Sequence, residues 1–244
     1  MKRWPVIAGM VFAMLAAGAV VIWPEIRQGV EKRQMEREMK NLETEVVRIE
    51  LAGHRFNIPM RYLYGEAIEK YHQWPTAKKE RVKVDALSLS VLLPDLRPYY
   101  PEDDARWKVL GHGDRVEVTI MKPAGEGDWY NFVRQRINNE IKQGVTTKKP
   151  DAHGLVHFLT PLGPRYFPTD ESNELAISCV GSHRPEPGMS YSCKTKSNYH
   201  TGIVLEYYYG IDHLSQWREI EKGLKTIFDR FAEAAQSEST NKGE

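Results

Sequence analysis

The sequence predicts an α+β protein in which an N-terminal transmembrane helix and a charged helical stalk precede antiparallel sheets, each closed by a helix. Three patterns predict this class. Residues 4–23 lack charged side chains, residues 25–45 are rich in both acidic and basic ones, and the rest alternates strand-like and helix-like apolar periods. With 244 residues and 41% hydrophobic side chains, the chain is long and apolar enough to build one domain or two small ones.

The first element is an apolar run from Trp4 to Trp23. Its 20 residues cover ~30 Å as a helix, which is the thickness of a hydrocarbon core. Trp4 and Trp23 match the aromatic belt at the two membrane interfaces, and Lys2 and Arg3 favour a cytoplasmic location for residues 1–3. We therefore expect a single-pass protein of the inner membrane whose C-terminal domain lies in the periplasm.

A cleaved signal peptide is the alternative for this segment. Ala17-Gly18-Ala19 fits a cleavage site that follows an apolar stretch from Val6 to Leu15. The chain stays apolar from Val20 to Trp23, beyond that site, which favours an uncleaved anchor. Both interpretations place the remaining residues outside the cytoplasm.

Residues 24–45 form the predicted stalk. Between Glu25 and Glu45 there are six acidic and five basic residues, as expected of a solvated helix. An apolar seam with heptad spacing runs along it and covers about two heptads: Met35, Met39, Leu42, Val46 and Ile49. The seam leaves two interpretations open, a monomeric stalk or a coil that forms a homo-oligomer, although the residues from Val46 to Ile49 could equally open a strand.

Residues 46–236 form the predicted periplasmic α+β domain. A hairpin around Gly53 comes first, then a strand from Val82 to Leu93 and a hairpin with strands at 108–110 and 115–120. A helix follows, with Asp128 as N-cap and Gly144 at its end. Its predicted buried stripe contains Trp129, Phe132, Val133, Ile137 and Ile141.

The order of elements then repeats. Strands are predicted at 155–159, 165–168, 174–180, 189–194 and 202–209, with a last helix from about Asp212 and a disordered tail at 237–244. We expect two related halves, 46–145 and 153–236, because Gly53–Pro59 and Gly163–Pro168 share a pattern of turn Gly, one residue, Arg, aromatic and apolar-Pro. The alternative is that hairpins ending in Pro are simply common.

This pattern resembles that of the periplasmic immunity proteins that neutralise type VI secretion lipase effectors. The resemblance rests on Gly53 to Pro59 and Gly163 to Pro168. It implies two α+β halves that clasp an effector and block its active site without catalysis. The resemblance assigns no residue of this chain to a binding surface. Many such proteins are lipoproteins, and this chain departs from them because its first cysteine is Cys179.

The two cysteines are the first candidates for chemistry. Cys179 and Cys193 lie on neighbouring predicted strands, and in an oxidising periplasm such a pair favours a disulfide over a catalytic thiol. His153 and His157 have a spacing that suits two metal ligands on a helix, but the intervening residues predict a strand, which separates them by roughly 13 Å. We therefore expect no metal and no cofactor.

A hydrolase is kept as a second alternative function. The acids Glu102, Asp103 and Asp104 could serve such an enzyme, although adjacent acids more often form a solvated turn. No nucleophile-elbow motif is present to define a catalytic triad. A net charge of +1 gives no reason to expect nucleic-acid binding.

Aromatic residues outside the predicted strands instead favour a non-enzymatic protein-binding domain. Tyr, Trp and Arg are enriched in protein interfaces because they bury large areas and keep a polar handle. Tyr208 joins this set because it must face away from its strand neighbours Tyr207 and Tyr209. The candidate interface residues are Tyr62, Tyr64, Tyr71, Trp74, Tyr99, Tyr100 and Tyr208. The function predicted is immunity against a secreted toxin, and the first alternative is a structural subunit of a cell-envelope or secretion assembly.

Overall fold

The computed structural model describes residues 45–63, 80–109, 111–123, 128–170, 174–180 and 191–241. Apart from Glu45, these residues belong to one compact unit that begins at Val46. The predicted transmembrane helix at 4–23 and almost all of the stalk at 24–45 lie outside the described residues. Within the described ranges, no helix combines the length and the apolar character that crossing a membrane requires.

A three-stranded sheet opens the unit. Strands β1 (Val46–Leu51) and β2 (His54–Pro59) pair antiparallel, and β3 (Val82–Lys83) lies parallel to β1. The connecting turn places Ala52 at φ 49° and Gly53 at φ 83°. The left-handed region favours glycine, so Gly53 suits this turn, and the predicted hairpin around it is confirmed.

The second sheet has eight antiparallel strands in the order β4-β5-β11-β10-β9-β8-β7-β6. The strands are β4 (Ala86–Leu92), β5 (Arg115–Met121), β6 (Thr147–Ala152), β7 (Leu155–Thr160), β8 (Gly163–Pro168), β9 (Leu175–Val180), β10 (Ser192–His200) and β11 (Ile203–Gly210). Because β11 pairs with β5, strands of both predicted halves share one sheet. The expectation of a separate sheet in each half is therefore wrong. The predicted strand at 108–110 is also wrong, since β5 pairs with β4 instead.

Within the described ranges, three α-helices accompany the sheets: α1 (Asp104–Trp107), α2 (Trp129–Lys142) and α3 (Trp217–Asn241). The predicted N-cap of α2 is confirmed, because the Asp128 carboxylate accepts a hydrogen bond of 3.0 Å from the Asn131 backbone N–H. A 3-10 helix, Ile211–Gln216, leads into α3. Since α3 continues to Asn241, it includes residues 237–241, which the sequence predicted as a disordered tail.

The core lies between α3, the hairpin β1–β2 and one face of the eight-stranded sheet, which we call the inner face. Phe56 of β2 meets Phe228 of α3 edge-on, with ring centroids 6.2 Å apart. The opposite, outer face is partly covered by α2, which packs Tyr130 and Ile137 against Phe167 of β8. Helix α2 therefore packs against strands of the other predicted half. Helix α3 contacts the opening hairpin of the other half and also β10 and β11 of its own half.

Two residues of the predicted α2 stripe are exposed, Phe132 and, to a lesser degree, Ile141 at 37%. Phe132 is 67% exposed, whereas Tyr130 is 7% and Ile137 is 2% exposed. Tyr130 and Ile137 are seven residues apart, close to two helical turns, so they share the face that meets the sheet. Phe132 lies well to one side of that face and is left to solvent.

Candidate protein-binding surface

The structure gives different outcomes for the predicted interface residues. Tyr64, Tyr71 and Trp74 lie outside the described residues, as do the predicted membrane-anchor residues Trp4 and Trp23. Tyr99 is 3% exposed, and its ring packs edge-on against Trp107, with centroids 5.5 Å apart. Tyr99 is thus a core residue, and its assignment to the interface is wrong.

Tyr62 and Tyr100 come together although 38 residues separate them. Tyr62 lies in the 3-10 helix Met60–Leu63 and packs edge-on against Phe231 of α3, with centroids 5.0 Å apart. The guanidinium of Arg61 sits 4.5 Å from the centroid of the Tyr100 ring. Burial raises the pKa of Tyr62, while the nearby charge of Arg230 opposes this rise. We call Arg61, Tyr62 and Tyr100 the Tyr62–Tyr100 cluster. It offers half-buried aromatic rings beside arginines.

Strand alternation in β11 places Tyr208 on the outer face. Tyr207 and Tyr209 are fully buried on the inner face, whereas Tyr208 is half-buried on the other side. The predicted orientation of Tyr208 is confirmed. The pairing register sets Glu117 of β5, Tyr208 of β11 and Lys194 of β10 side by side in one row.

Hydrogen bonds fix the side chains around Tyr208. The Tyr208 hydroxyl donates to Glu206 Oε1 at 3.0 Å, and Lys194 Nζ lies 2.6 Å from the same oxygen. The ammonium of Lys194 also lies 5.4 Å from the centroid of the Tyr208 ring, whose other contact is the His112 ring at 6.3 Å.

These contacts also fix the charges of the group. Burial would lower the pKa of Lys194, but its hydrogen bonds to Glu206 and Tyr208 outweigh burial and raise the pKa. Lys194 therefore stays protonated, and the group presents an ordered ring with a paired charge. We call Lys194, Glu206, Tyr208 and His112 the Tyr208 face.

The strands beside this face carry further paired polar side chains. Ser88 and Thr119 hydroxyls are 2.8 Å apart, and Arg115 pairs with Glu117 at 2.9 Å. Helix α2 lies instead over β7, β8 and β9, through Phe158, Phe167 and Ala176. A polar surface with an immobilised aromatic ring is suited to binding another protein, because ordering it on binding costs little further entropy.

The disulfide predicted from the sequence is confirmed. Cys179 of β9 and Cys193 of β10 are direct cross-strand partners and are bonded, with Cα atoms 3.9 Å apart. The chain has only two cysteines, so the bond leaves no thiol to act as a nucleophile.

The histidines and acids considered above hold other roles. His153 lies in a turn, where its carbonyl accepts a hydrogen bond of 3.0 Å from Trp217 Nε1, while His157 stacks on Tyr166 in the sheet. Asp103 is 4% exposed and pairs with Arg97 and Arg106. The part of the chain that the structure describes contains no group of three or more His, Cys, Asp or Glu placed to hold a metal ion.

A groove on the inner face was not predicted from the sequence. It has a volume of about 860 Å³ and lies beside β6 to β9, with Lys149, His157 and Tyr191 among its lining residues. These three residues are up to 42 positions apart in sequence and belong to different elements. Only the order of strands in the sheet brings these residues together, so no local sequence pattern predicts the groove.

Comparison with known proteins shows similarity in fold alone. No protein-family model matches the sequence, and no curated protein matches it. Among solved structures, the iron-regulated outer membrane lipoprotein FrpD of Neisseria meningitidis has a TM-score of 0.52 at 16% identity, covering 79% of this chain and 95% of FrpD. Smlt3025, an immunity protein of the Stenotrophomonas maltophilia type IV secretion system, has a TM-score of 0.54 at 14% identity, covering 77% of this chain and 93% of Smlt3025.

The resemblance to immunity proteins is thus confirmed at the level of the fold. The secretion system differs, since the sequence motif resembled immunity proteins of type VI systems and the structural neighbour belongs to a type IV system. At these identities the likeness concerns the arrangement of strands and helices and assigns no residue a role.

Proposed function

We propose that this chain is a non-enzymatic, membrane-anchored periplasmic protein that binds and neutralises a secreted toxin. The Tyr208 face carries the proposal, because its aromatic ring and charged neighbours are already held in place by Glu206 and Lys194. The shared fold with an immunity protein supports it. The toxin is the product of a gene beside that of this chain.

The proposed location follows from two features. Residues 4–23 are the proposed transmembrane helix, bounded by Trp4 and Trp23. The disulfide between Cys179 and Cys193 supports a periplasmic domain, because such bonds persist in oxidising compartments. The anchor would hold the binding domain where an incoming toxin first meets the inner membrane.

Co-elution of the full-length chain with the neighbouring gene product tests the binding step. A stoichiometric complex is expected, and Tyr208→Ala combined with Lys194→Ala should weaken it at least about tenfold, as loss of an interface hot spot does. Phe132→Ala is the matched control, because Phe132 is an exposed aromatic residue on α2. Failure of every neighbouring product to bind would remove the immunity proposal. If the double substitution leaves the affinity of the complex unchanged, the toxin binds at a surface other than the Tyr208 face.

A structural subunit of a cell-envelope assembly is the second candidate. The apolar seam at Met35, Met39 and Leu42 favours it, because such a seam can pair stalks. Met39→Lys with Leu42→Lys should then abolish oligomers of the full-length chain, measured by size-exclusion chromatography with light scattering. An immunity protein with the same two substitutions should still bind its toxin.

A further inference from the structure

The groove on the inner face lies where the core layer ends. Lys149, His157, Tyr166 and Ile177 follow one another across β6, β7, β8 and β9 in register, and Ile177 belongs to the buried core. Tyr166, which also belongs to the buried core, lines the groove together with His157 and Lys149. Tyr191 and Ile211 also line the groove, and the backbone N–H of Ile211 donates to the Tyr191 carbonyl at 2.8 Å.

The rim of the groove exposes large aliphatic side chains. Leu162 in the β7–β8 turn is 67% exposed, and Val180 at the end of β9 is 66% exposed. Both line the groove. Apolar side chains gathered at a concave surface mark a place where another molecule can bury them.

Polar atoms inside the groove lack partners. His157 Nε2 and the Tyr191 hydroxyl are buried, and neither has a hydrogen-bond partner among the described residues. Buried polar atoms are nearly always paired, so each needs an explanation. Lys149 is the one charged side chain among the described residues that line the groove. Its ammonium and the Tyr191 hydroxyl are both donors, so the groove favours an acceptor that carries negative charge.

We propose that this groove binds an extended segment of a protein partner in which an aliphatic or aromatic side chain lies next to an aspartate or glutamate. The apolar side chain covers Leu162 and Val180. The carboxylate pairs with Lys149 and accepts a hydrogen bond from Tyr191. This proposal rests on the proposed protein-binding function and names the chemistry that one contact of that partner must have.

A library of random 12-residue peptides displayed on phage and panned against the full-length chain tests the groove without knowledge of the toxin. Enriched peptides should carry an aliphatic or aromatic residue beside Asp or Glu. The affinity of the synthetic peptides, measured by fluorescence polarisation, should fall at least about tenfold in Lys149→Glu and in Leu162→Ser, each about 1.4 kcal/mol or more.

Each substitution has a matched control. Lys148→Glu makes the same charge change on the adjacent residue, whose cross-strand partner Phe158 packs under α2 on the outer face. Phe132→Ser removes an equally exposed apolar side chain, since Phe132 and Leu162 are both 67% exposed. Both controls should leave the peptide affinity unchanged within about twofold, a difference of roughly 0.4 kcal/mol.

No enriched peptide, or peptides equally weakened by Lys148→Glu, would overturn the proposal. Octanoate that binds the groove when no peptide does would assign it to a small amphiphilic acid and would also overturn the proposal. Panning does not use the neighbouring gene product. If peptides bind but the toxin does not, the immunity proposal is rejected and the proposal for the groove stands. If the toxin binds, but Lys149→Glu does not weaken that binding and no peptide is enriched, the proposal for the groove alone is rejected.

Discussion

Glu221 on α3 shows how a buried charge is held in this fold. It is 5% exposed, and its Oε2 accepts hydrogen bonds from the Tyr207 hydroxyl at 2.8 Å and the Ser197 hydroxyl at 3.0 Å. Lys225 lies 2.7 Å from Oε1, one helical turn away. Through Oε2, which accepts both hydrogen bonds, Glu221 joins α3 to β10 and β11. Removal of such a partner destabilises the folded state, because the buried carboxylate is then left without a hydrogen bond.

Tyr207→Phe should therefore destabilise the protein by about 2 kcal/mol, because a hydrogen bond to a buried charged group is lost without replacement. The measurement is urea-induced unfolding of the full-length chain. Tyr209→Phe is the control, since the Tyr209 hydroxyl accepts a long hydrogen bond of 3.4 Å from Thr195, and this substitution should cost under about 1 kcal/mol. Equal losses in the two variants would contradict this account of Glu221.

The buried tyrosines also predict a pH dependence. Burial raises the pKa of Tyr209 to about 12, although the hydrogen bond from Thr195 opposes the rise. Burial, with the Glu221 charge beside it, also raises the pKa of Tyr207. The folded state therefore keeps protons that the unfolded state releases above pH 10. For Tyr209 the stabilisation is fully present below pH 10 and is lost as the pH rises through about 12, at up to roughly 1.4 kcal/mol per pH unit. The raised pKa of Tyr207 adds a loss of stability of the same sign.

Urea unfolding at pH 9, 10 and 11 measures this slope, and Tyr209→Phe should make it shallower. A slope that is the same in the variant would show that Tyr209 does not contribute.

Predictions at the residue scale succeeded where the strand period or one local contact decides the answer. Tyr208 faces outward because alternate residues of β11 do, and Asp128 caps α2 because its carboxylate reaches an amide three residues on. Tyr99 could not be placed this way, because its burial depends on contact with Trp107 in α1. Phe132 was misassigned because an apolar residue beside the buried face of a helix looks, in sequence, like part of the stripe.

At the scale of elements, the end of α3 is tied to the hairpin β1–β2. The Glu238 carboxylate accepts hydrogen bonds from Arg48 Nε and Asn57 Nδ2, each 2.9 Å from Oε2. Arg81 adds bonds to Asn57 Oδ1 at 2.9 Å and to the Phe56 carbonyl at 3.0 Å. This network explains why the chain stays helical beyond residue 236, where the sequence alone is polar and predicted a tail.

Deletion of residues 237–244 should therefore cost about 1–3 kcal/mol, because Arg48 and Asn57 lose a charged partner at a half-buried site. Deletion of residues 242–244 alone should change stability by less than about 0.5 kcal/mol. The midpoint of thermal unfolding of the two truncated chains, followed by circular dichroism, checks this. Equal midpoints for both truncations would mean that Glu238 adds nothing to the hairpin.

Most strand positions were predictable from the sequence, although β6 was missed and the strand predicted at 108–110 is absent at the described residues 108 and 109. Strand partners were not predictable. The alternating period locates β4, β7 and β11, yet the period is the same whichever strand lies alongside. The pairing of β11 with β5 joins residues 83 to 91 positions apart, such as Tyr207 with Val118. The groove beside β6 to β9 depends on the same long-range pairing and had no local signal.

At the scale of the whole molecule, the interlocking of the predicted halves is the main departure from the expected architecture. The α2 helix packs on strands that follow it in the chain, and α3 packs on the hairpin that opens the unit. Both faces of the eight-stranded sheet thereby receive a helix, and the Tyr208 face is a part of the outer face beside α2. Within the described residues, the α+β class, the antiparallel sheets and the C-terminal helix were predicted correctly from the sequence, but their arrangement follows from tertiary contacts.

The central claim, that this chain neutralises a secreted toxin, is tested most directly by survival. The neighbouring gene product is directed to the periplasm of a sensitive host, and growth is measured with and without the full-length chain. The account predicts that cells die without the chain and survive with it, and that Tyr208→Ala with Lys194→Ala reduces survival. Equal killing in the presence and absence of the chain would contradict it.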